Sequence, residues 1–274
     1  MSRPAAGRSP ALPDSVPRNR LLHRPAHERP RYRLVCFHHA GAGAGAYTSW
    51  MREAPEDVEM LALRLPGRES RLDEAAYDDP AAALDDVLEI LAPLAADEVP
   101  LALYGHSMGG VLAYEAYTAL AAQGLPDPLF LATGATPAPH RHAVRPSRLP
   151  TGHGRQDLLD LLHRYEGTRP EVFDHPELLE IVLGVLEADL TLLDSYRPAL
   201  PPEPVRCPVL AFSGTGDTMV DAGDIEAWRE CAAGPFVHRT FDSGHFFAES
   251  HATALLCELD AWSRPAAGSV QSGR

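Results

Sequence analysis

Three side chains at the ends of apolar runs have the types and order to do chemistry: Ser107, Asp217 and His245. Ser107 stands in Gly105-His106-Ser107-Met108-Gly109, after the apolar residues 101–104. A helical pattern follows, with Val111, Leu112, Tyr114, Ala116 and Leu120 at its spacing and Gly124 where a C-terminal cap belongs. A serine between glycines at a strand-to-helix junction reads as a nucleophile elbow, a turn so sharp that side chains at 105 and 109 would strike backbone. The turn also sets the serine at a helix N-terminus, where free N–H groups and the helix dipole favour negative charge. The plain alternative is a Gly-rich turn with a bystander serine. A serine hydroxyl is a weak nucleophile alone, so the functional reading requires a base and an acid to orient it. Such a set performs acyl transfer.

Both partners fall where parallel-sheet enzymes keep their sites, just past the carboxyl ends of strands. Residues 208–214 form a buried-strand pattern, and Asp217 lies in the loop after it. Residues 236–241 form another, and His245 follows Gly244 in the next loop. The chain order Ser, Asp, His is that of the α/β-hydrolases. His245 is then the base and Asp217 the group that holds its ring. Asp221, Asp224 and Asp242 are rival acids; the first two are read as opening a helix and the third as a turn residue. His251 is a rival base on the last helix, and His106 is read as packing inside the elbow. An oxyanion needs two N–H donors: Met108, the residue after the nucleophile, and Ala40, in the small-residue loop 38–45 after the strand 32–37. No Gly-Lys-Ser/Thr follows that loop, so it is not read as a phosphate loop.

The elements that position these residues alternate from residue 31 to 136: strands at 32–37, about 58–64, 100–104 and 128–133, helices at about 80–95 and 108–123. From 137 to 200 no strand pattern occurs. Leu158, Leu159, Leu161, Leu162 and Tyr165 mark one amphipathic helix, and Leu178 to Leu193 another. This predicts an α/β fold, a mostly parallel central sheet flanked by helices, with a helical lid insertion. The core is expected at 31–136 and 201–264 and the lid at 137–200. The lid carries few polar anchors, and Leu183 and Leu186 are expected to line an acyl channel.

The sequence resembles the type II, or editing, thioesterases that accompany polyketide and nonribosomal peptide synthases. The likeness runs from about residue 33 to 262. It is carried by Phe37-His38-His39-Ala40-Gly41-Ala42-Gly43, Leu65-Pro66-Gly67-Arg68-Glu69, Gly105 to Gly110, Tyr165-Glu166-Gly167-Thr168-Arg169-Pro170, Ala188-Asp189 to Tyr196, and Gly244-His245-Phe246-Phe247. Ala42 departs from the pattern, since many relatives have a second consecutive glycine there. The resemblance implies the α/β-hydrolase fold, Ser107, Asp217 and His245 as triad, Ala40 and Met108 as oxyanion donors, and a helical lid. It implies hydrolysis of acyl thioesters on the phosphopantetheine arm of acyl or peptidyl carrier protein domains, with no cofactor of the enzyme's own. A carboxylesterase on small soluble esters and a non-catalytic scaffold that binds carrier proteins are the alternatives.

Composition bounds these readings. The chain has 274 residues, 45% hydrophobic and 23% charged, enough for one large core with an inserted subdomain. A formal net charge of −14 argues against nucleic acid as a partner. All 24 basic residues are arginine, which excludes a Schiff-base or Walker lysine. His38-His39 and His140-x-His142 lack an acidic or cysteine neighbour at ligand spacing, so no metal is expected. Cys36, Cys207, Cys231 and Cys257 are scattered and read as small residues of a reduced cytoplasm. No run reaches the roughly 18 apolar residues of a membrane helix, and no signal-peptide stretch opens the chain. A cytoplasmic monomer is expected. Residues 1–33 hold eight arginines against two acids, a net of +6 that leaves −20 on the rest. Residues 1–30 are therefore read as a disordered basic tail, either solvated or attracting an acidic carrier protein, and 265–274 as a second disordered tail.

Overall fold

The computed structural model of the chain describes residues 12–144, 154–164 and 171–264. Seven strands form one sheet: β1 (Leu21–Arg24), β2 (Tyr32–Phe37), β3 (Val58–Leu63), β4 (Leu101–His106), β5 (Leu131–Gly134), β6 (Val209–Gly214) and β7 (Phe236–Phe241). Their spatial order is β1-β3-β2-β4-β5-β6-β7. β1 runs antiparallel to β3, and every other neighbouring pair is parallel. This is the α/β-hydrolase fold that the motif order predicts. Register aligns the strand ends: Phe37 pairs with Gly105, His106 with Gly134, and Gly214 with Phe241. The loops that follow β2, β4, β6 and β7 therefore emerge at one edge.

The central strands are buried on both faces, which is why they read as near-continuous apolar runs, interrupted in β2 and β3 by Arg33 and Glu59, which pair with each other. Their alternation splits the interior in two. Val35, Phe37, Leu61 and Leu103 face α2 (Pro80–Ala95), α3 (Met108–Ala122) and the insertion. Leu34, Cys36, Met60 and Tyr104 face α1 (Thr48–Glu53) and α10 (Ala252–Trp262). Helix α2 starts where Asp79 accepts the Ala82 N–H at 3.1 Å, with Pro80 in its first turn. Gly124, two residues past the end of α3, turns the chain with a φ of +73° that suits glycine.

The N-terminal reading needs correction over residues 12–30. Arg18–Arg20 make a 3-10 turn, β1 pairs with β3, and Leu12, Val16 and Leu21 are buried. The arginines taken as tail charge neutralise the acidic body. Arg20 meets Asp86 and Glu89, Arg31 meets Asp57 and Asp260, and the fully buried Arg33 meets Glu59 and Asp97. Arg24 donates to the carbonyls of Ala54, Pro55 and Val58. Counting charge along the chain cannot reveal such cross-strand pairing. Residues 1–11 and 265–274 lie outside the described residues, as do 165–170.

Between β5 and β6 the described residues hold α4 (Pro139–Val144), α5 (Arg155–Arg164), α6 (Glu171–Asp174) and α7 (Pro176–Ser195), and no strand. Helix α7 buries Leu183, Val185, Leu186, Leu190 and Leu192, each contributing roughly 2 kcal/mol on full burial. The expectation of few polar anchors fails at α7. Asp189 forms a buried ion pair with Arg68, and at the helix end Tyr196 Oη donates to Glu115 at 2.5 Å. Among the described residues no helix is long and apolar enough to cross a membrane. Where the sequence suggests a helix over 225–231, opened by Asp221 and Asp224, the structure has α8 (Ala222–Glu226) followed by a 3-10 turn at Ala227–Glu230, and α9 (Phe247–Ser250) precedes α10.

Candidate active site

Ser107 has φ 53° and ψ −116°, a left-handed conformation that costs on the order of 1–3 kcal/mol in a non-glycine residue. Its surroundings hold it there. Ser107 N–H donates to Gly134 O at 2.7 Å, and Gly110 N–H donates to Ser107 O at 2.9 Å. Thr136 Oγ1, in the loop after β5, lies 3.0 Å from Ser107 O and 2.9 Å from Gly134 O. The glycines are sterically forced: a Cβ at 105 would lie 2.1 Å from Gly109 O, and one at 109 would lie 2.1 Å from Phe37 O. Gly110 is needed too, because a Cβ there would meet Thr136 Oγ1 at 2.1 Å. These contacts press the start of α3 onto the end of β2 and the loop 38–45.

Asp217 and His245 meet. His245 Nδ1 lies 2.8 Å from Asp217 Oδ2, with both side chains buried. An ionised carboxylate only accepts, so Nδ1 carries the proton and a neutral ring keeps its lone pair on Nε2. The other oxygen, Asp217 Oδ1, accepts the N–H groups of Met219 at 2.7 Å and Val220 at 3.1 Å. Burial pushes the Asp217 carboxyl up, but the hydrogen bonds from His245, Met219 and Val220 outweigh it and hold it below the ordinary range. Of the rival acids, Asp242 accepts from Thr215 Oγ1, and Asp221 stands at the start of α8, where its backbone carbonyl accepts the Asp224 N–H at 2.9 Å. His251 bonds Ser250 Oγ at 2.9 Å, ahead of α10 rather than within it. The Ser107 hydroxyl has no hydrogen-bond partner among the described residues, and such contacts tighten when substrate binds.

Ala40 and Met108, 3% and 0% exposed, sit on either side of the Gly109–Phe37 contact. Neither amide donates a hydrogen bond among the described residues. The loop that carries Ala40 is tightly built. Ala42 N–H donates to His39 O at 3.2 Å, closing a turn with Gly41 at φ +77°. Gly41 N–H donates to Asp189 Oδ2 at 2.8 Å, and Arg68 Nη1 donates to Ala42 O at 2.7 Å.

His106 does more than pack. Its Nε2 lies 2.9 Å from His245 O and its Nδ1 lies 3.2 Å from Tyr104 Oη. A carbonyl can only accept, so Nε2 bears the proton and Nδ1 accepts from tyrosine. Burial lowers the His106 ring to about 3 and the His38 ring to about 4, and it holds His39 well below its ordinary value. These neighbours of the site stay neutral. A small pocket opens beside them, lined among others by His39, Tyr47, Trp50, His106, Phe246 and Glu249. Leu183 and Leu186 face inward on α7 and lie outside that lining, Leu186 pressing on Gly41 instead. Among the described residues no cluster of three or more His, Cys, Asp or Glu side chains could hold a metal.

Sequence reasoning assigned no role to Thr136, Arg68 or Asp189. For Asp189 a signal existed: it is a charge on the apolar face of a leucine-rich helix, between Leu186 and Leu190.

Sheet order and elbow define the class, an α/β-hydrolase with a serine at its nucleophile position. Residues 32–263 match the thioesterase domain model, and the chain belongs to that family. It is 36% identical over 244 residues to the AMB antimetabolite synthetase AmbE of Pseudomonas aeruginosa, covering 88% of this chain and 11% of that one. It is 31% identical over 229 residues to the probable cadicidin biosynthesis thioesterase of Streptomyces griseus, covering 83% of this chain and 61% of that one. The chain thus spans less than two thirds of either relative. The solved structure of the type II thioesterase BorB from the borrelidin biosynthetic cluster superposes with a TM-score of 0.77 at 31% identity, covering 90% of this chain and 98% of that one.

Proposed function

We propose that the chain hydrolyses acyl thioesters borne on the phosphopantetheine arm of acyl or peptidyl carrier protein domains, clearing stalled or aberrant acyl groups from a synthase. The observation that carries the hydrolytic reading is the Asp217–His245 hydrogen bond, at the sheet edge where the strained Ser107 turn also lies. The carrier-borne substrate is supported by likeness to the BorB type II thioesterase.

In this reading Ser107 Oγ attacks the thioester carbonyl carbon while His245 Nε2 takes its proton. Asp217 steadies the imidazolium. The oxyanion is received by the Ala40 and Met108 N–H groups, and removing one such donor typically costs about 10²–10³ in rate. Collapse breaks the carbon–sulfur bond, and His245 returns the proton to the departing thiolate. A water then attacks the acyl-serine, giving its proton to His245. The second collapse releases the acid and restores the Ser107 hydroxyl. Apart from that water, each step uses the chain's own side chains and backbone. Leu183, on the inner face of α7, is assigned to the wall that receives the acyl chain.

The test is acid release from an acyl-loaded carrier protein beside a plain ester of the same acyl group, with Ser107→Ala as control. Faster turnover of the carrier thioester supports the proposal. Preference for the plain ester would make the chain a carboxylesterase. Absence of labelling by a fluorophosphonate would leave only a scaffold.

A further inference from the structure

We propose that Asp189 and Arg68 are positioning residues that hold the oxyanion loop in shape only while the lid helix α7 is docked. The inference rests on the assignment of Ala40 as an oxyanion donor. Asp189 and Arg68 are 1% and 5% exposed, so both charges have left water. They face each other two-pronged, Nη2 to Oδ1 at 2.7 Å and Nη1 to Oδ2 at 2.8 Å. Each also holds the loop. Asp189 Oδ2 accepts the Gly41 N–H at 2.8 Å, and Arg68 Nη1 donates to Ala42 O at 2.7 Å. The two backbone groups flank Gly41, the next residue after Ala40. Arg68 Nε donates to Pro66 O at 3.2 Å, which fixes the guanidinium from behind.

The same face of α7 adds a steric contact one turn away. A Cβ on Gly41 would lie 3.1 Å from Leu186 Cδ1, so the helix rests directly on the turn. Gly41 adopts φ +77°, a conformation that needs such external holding less in glycine than in other residues but is not self-enforcing. A buried ion pair is weak evidence for stability, because desolvation offsets most of its attraction. What this pair supplies is direction: two fixed hydrogen bonds, on the peptides 40–41 and 42–43 either side of the Gly41–Ala42 peptide.

The coupling follows from where Asp189 resides. It belongs to the inserted helix, whereas Gly41, Ala42 and Arg68 belong to the core. If α7 lifts to admit a substrate attached to a large carrier, Gly41 N–H and the Arg68 guanidinium lose their acceptor together. The loop then relaxes, and the Ala40 N–H loses its aim. Closing the lid restores both. The oxyanion hole is thereby armed only around a substrate already enclosed, the logic by which closure completes other catalytic sites.

The test compares two charge-free pairs. Arg68→Met/Asp189→Leu removes the acceptor for Gly41 N–H, and Arg68→Gln/Asp189→Asn keeps an amide oxygen there. With a short-acyl ester as substrate, the apolar pair should lose about 100-fold in kcat with KM within about twofold. The amide pair should recover to within about tenfold of the wild type. A folded apolar pair with wild-type kcat, or with a change confined to KM, overturns the proposal. If the apolar pair does not fold, hydrogen exchange on the wild type decides. Gly41 and Ala42 amides should exchange with those of α7 while β4 stays protected, and exchange independent of α7 overturns it. Activity surviving Ser107→Ala would instead locate the failure in the nucleophile assignment.

Discussion

His106 Nε2 donates to the backbone carbonyl of His245 at 2.9 Å, so the residue beside the elbow serine holds the main chain of the proposed base. The rings lie 5.6 Å apart, edge to face. His106→Ala should leave the carbonyl unmet and loosen the His245 loop, lowering kcat about tenfold with little change in KM. His106→Gln, which can still donate, should retain most activity. Equal loss in both variants would show that the ring's shape matters and the hydrogen bond does not.

Removing the proposed nucleophile or base should abolish turnover. Ser107→Ala and His245→Ala should each cost on the order of 10⁵-fold in kcat with the fold intact, and together no more than either alone. Asp217→Asn should cost about 10³–10⁴-fold, because the amide favours the wrong tautomer of His245. Steady-state kinetics on these variants beside Asp242→Asn and Asp221→Asn check the assignment. A dead Asp242 variant with an active Asp217 variant reverses it.

Stability should fall with acid over a definite window. His38 and His106 are lowered to about 4 and about 3 in the folded protein, against about 6.5 when unfolded. The unfolded chain therefore binds more protons between these limits, and stability rises with pH there. Their contribution is complete above about pH 6.5 and drains away as pH falls toward the folded values. The acids lowered by pairing act only below about pH 4.5, so the stretch from 6.5 to 5 reports the histidines. Thermal melts should show Tm falling across it, with a shallower slope in His106→Gln. A flat Tm contradicts the burial assigned to these rings.

Truncation separates the ordered N-terminal segment from a tail. A chain starting at residue 31 loses β1 and the buried Leu12, Val16 and Leu21. It should be less stable by on the order of 5 kcal/mol, measured by denaturant unfolding. An unchanged midpoint would mean that these contacts add nothing.

The two inward-facing leucines of α7 should behave differently. Leu183→Trp should shorten the preferred acyl chain without slowing the shortest substrates. Leu186→Trp should press on Gly41 and slow every chain length. Rates across an acyl series decide, and identical profiles for the two variants would remove the distinction.

Much of the site was legible because it is written in short spacings. Gly105, Ser107 and Gly109 are a local pattern, since the turn's steric demand falls on residues two apart. Asp217 and His245 stood out as polar residues just past buried strands, and their order along the chain matched one fold. The central strands are mostly apolar because both faces of a parallel sheet are covered, and the charges within β2 and β3, Arg33 and Glu59, pair with each other. The preference for Asp217 over Asp221 and Asp224 followed from its shorter distance to a strand end, and Asp242 was set aside as a turn residue.

Partnership across the sheet was not legible. Arg68 and Asp189 are 121 residues apart, and nothing near either one names the other. The basic N-terminal residues looked like a solvated tail because their acidic partners, Asp86, Glu59 and Asp260, come from later segments. His106 looked like packing because its acceptor is a backbone carbonyl 139 residues on. Local propensity and periodicity depend on neighbours in the chain, and the sequence alone therefore determined the strands, the elbow and the order of the proposed triad residues. Which donor meets which acceptor depends on strand order and on where the inserted helix comes to rest, and only the folded chain decides that.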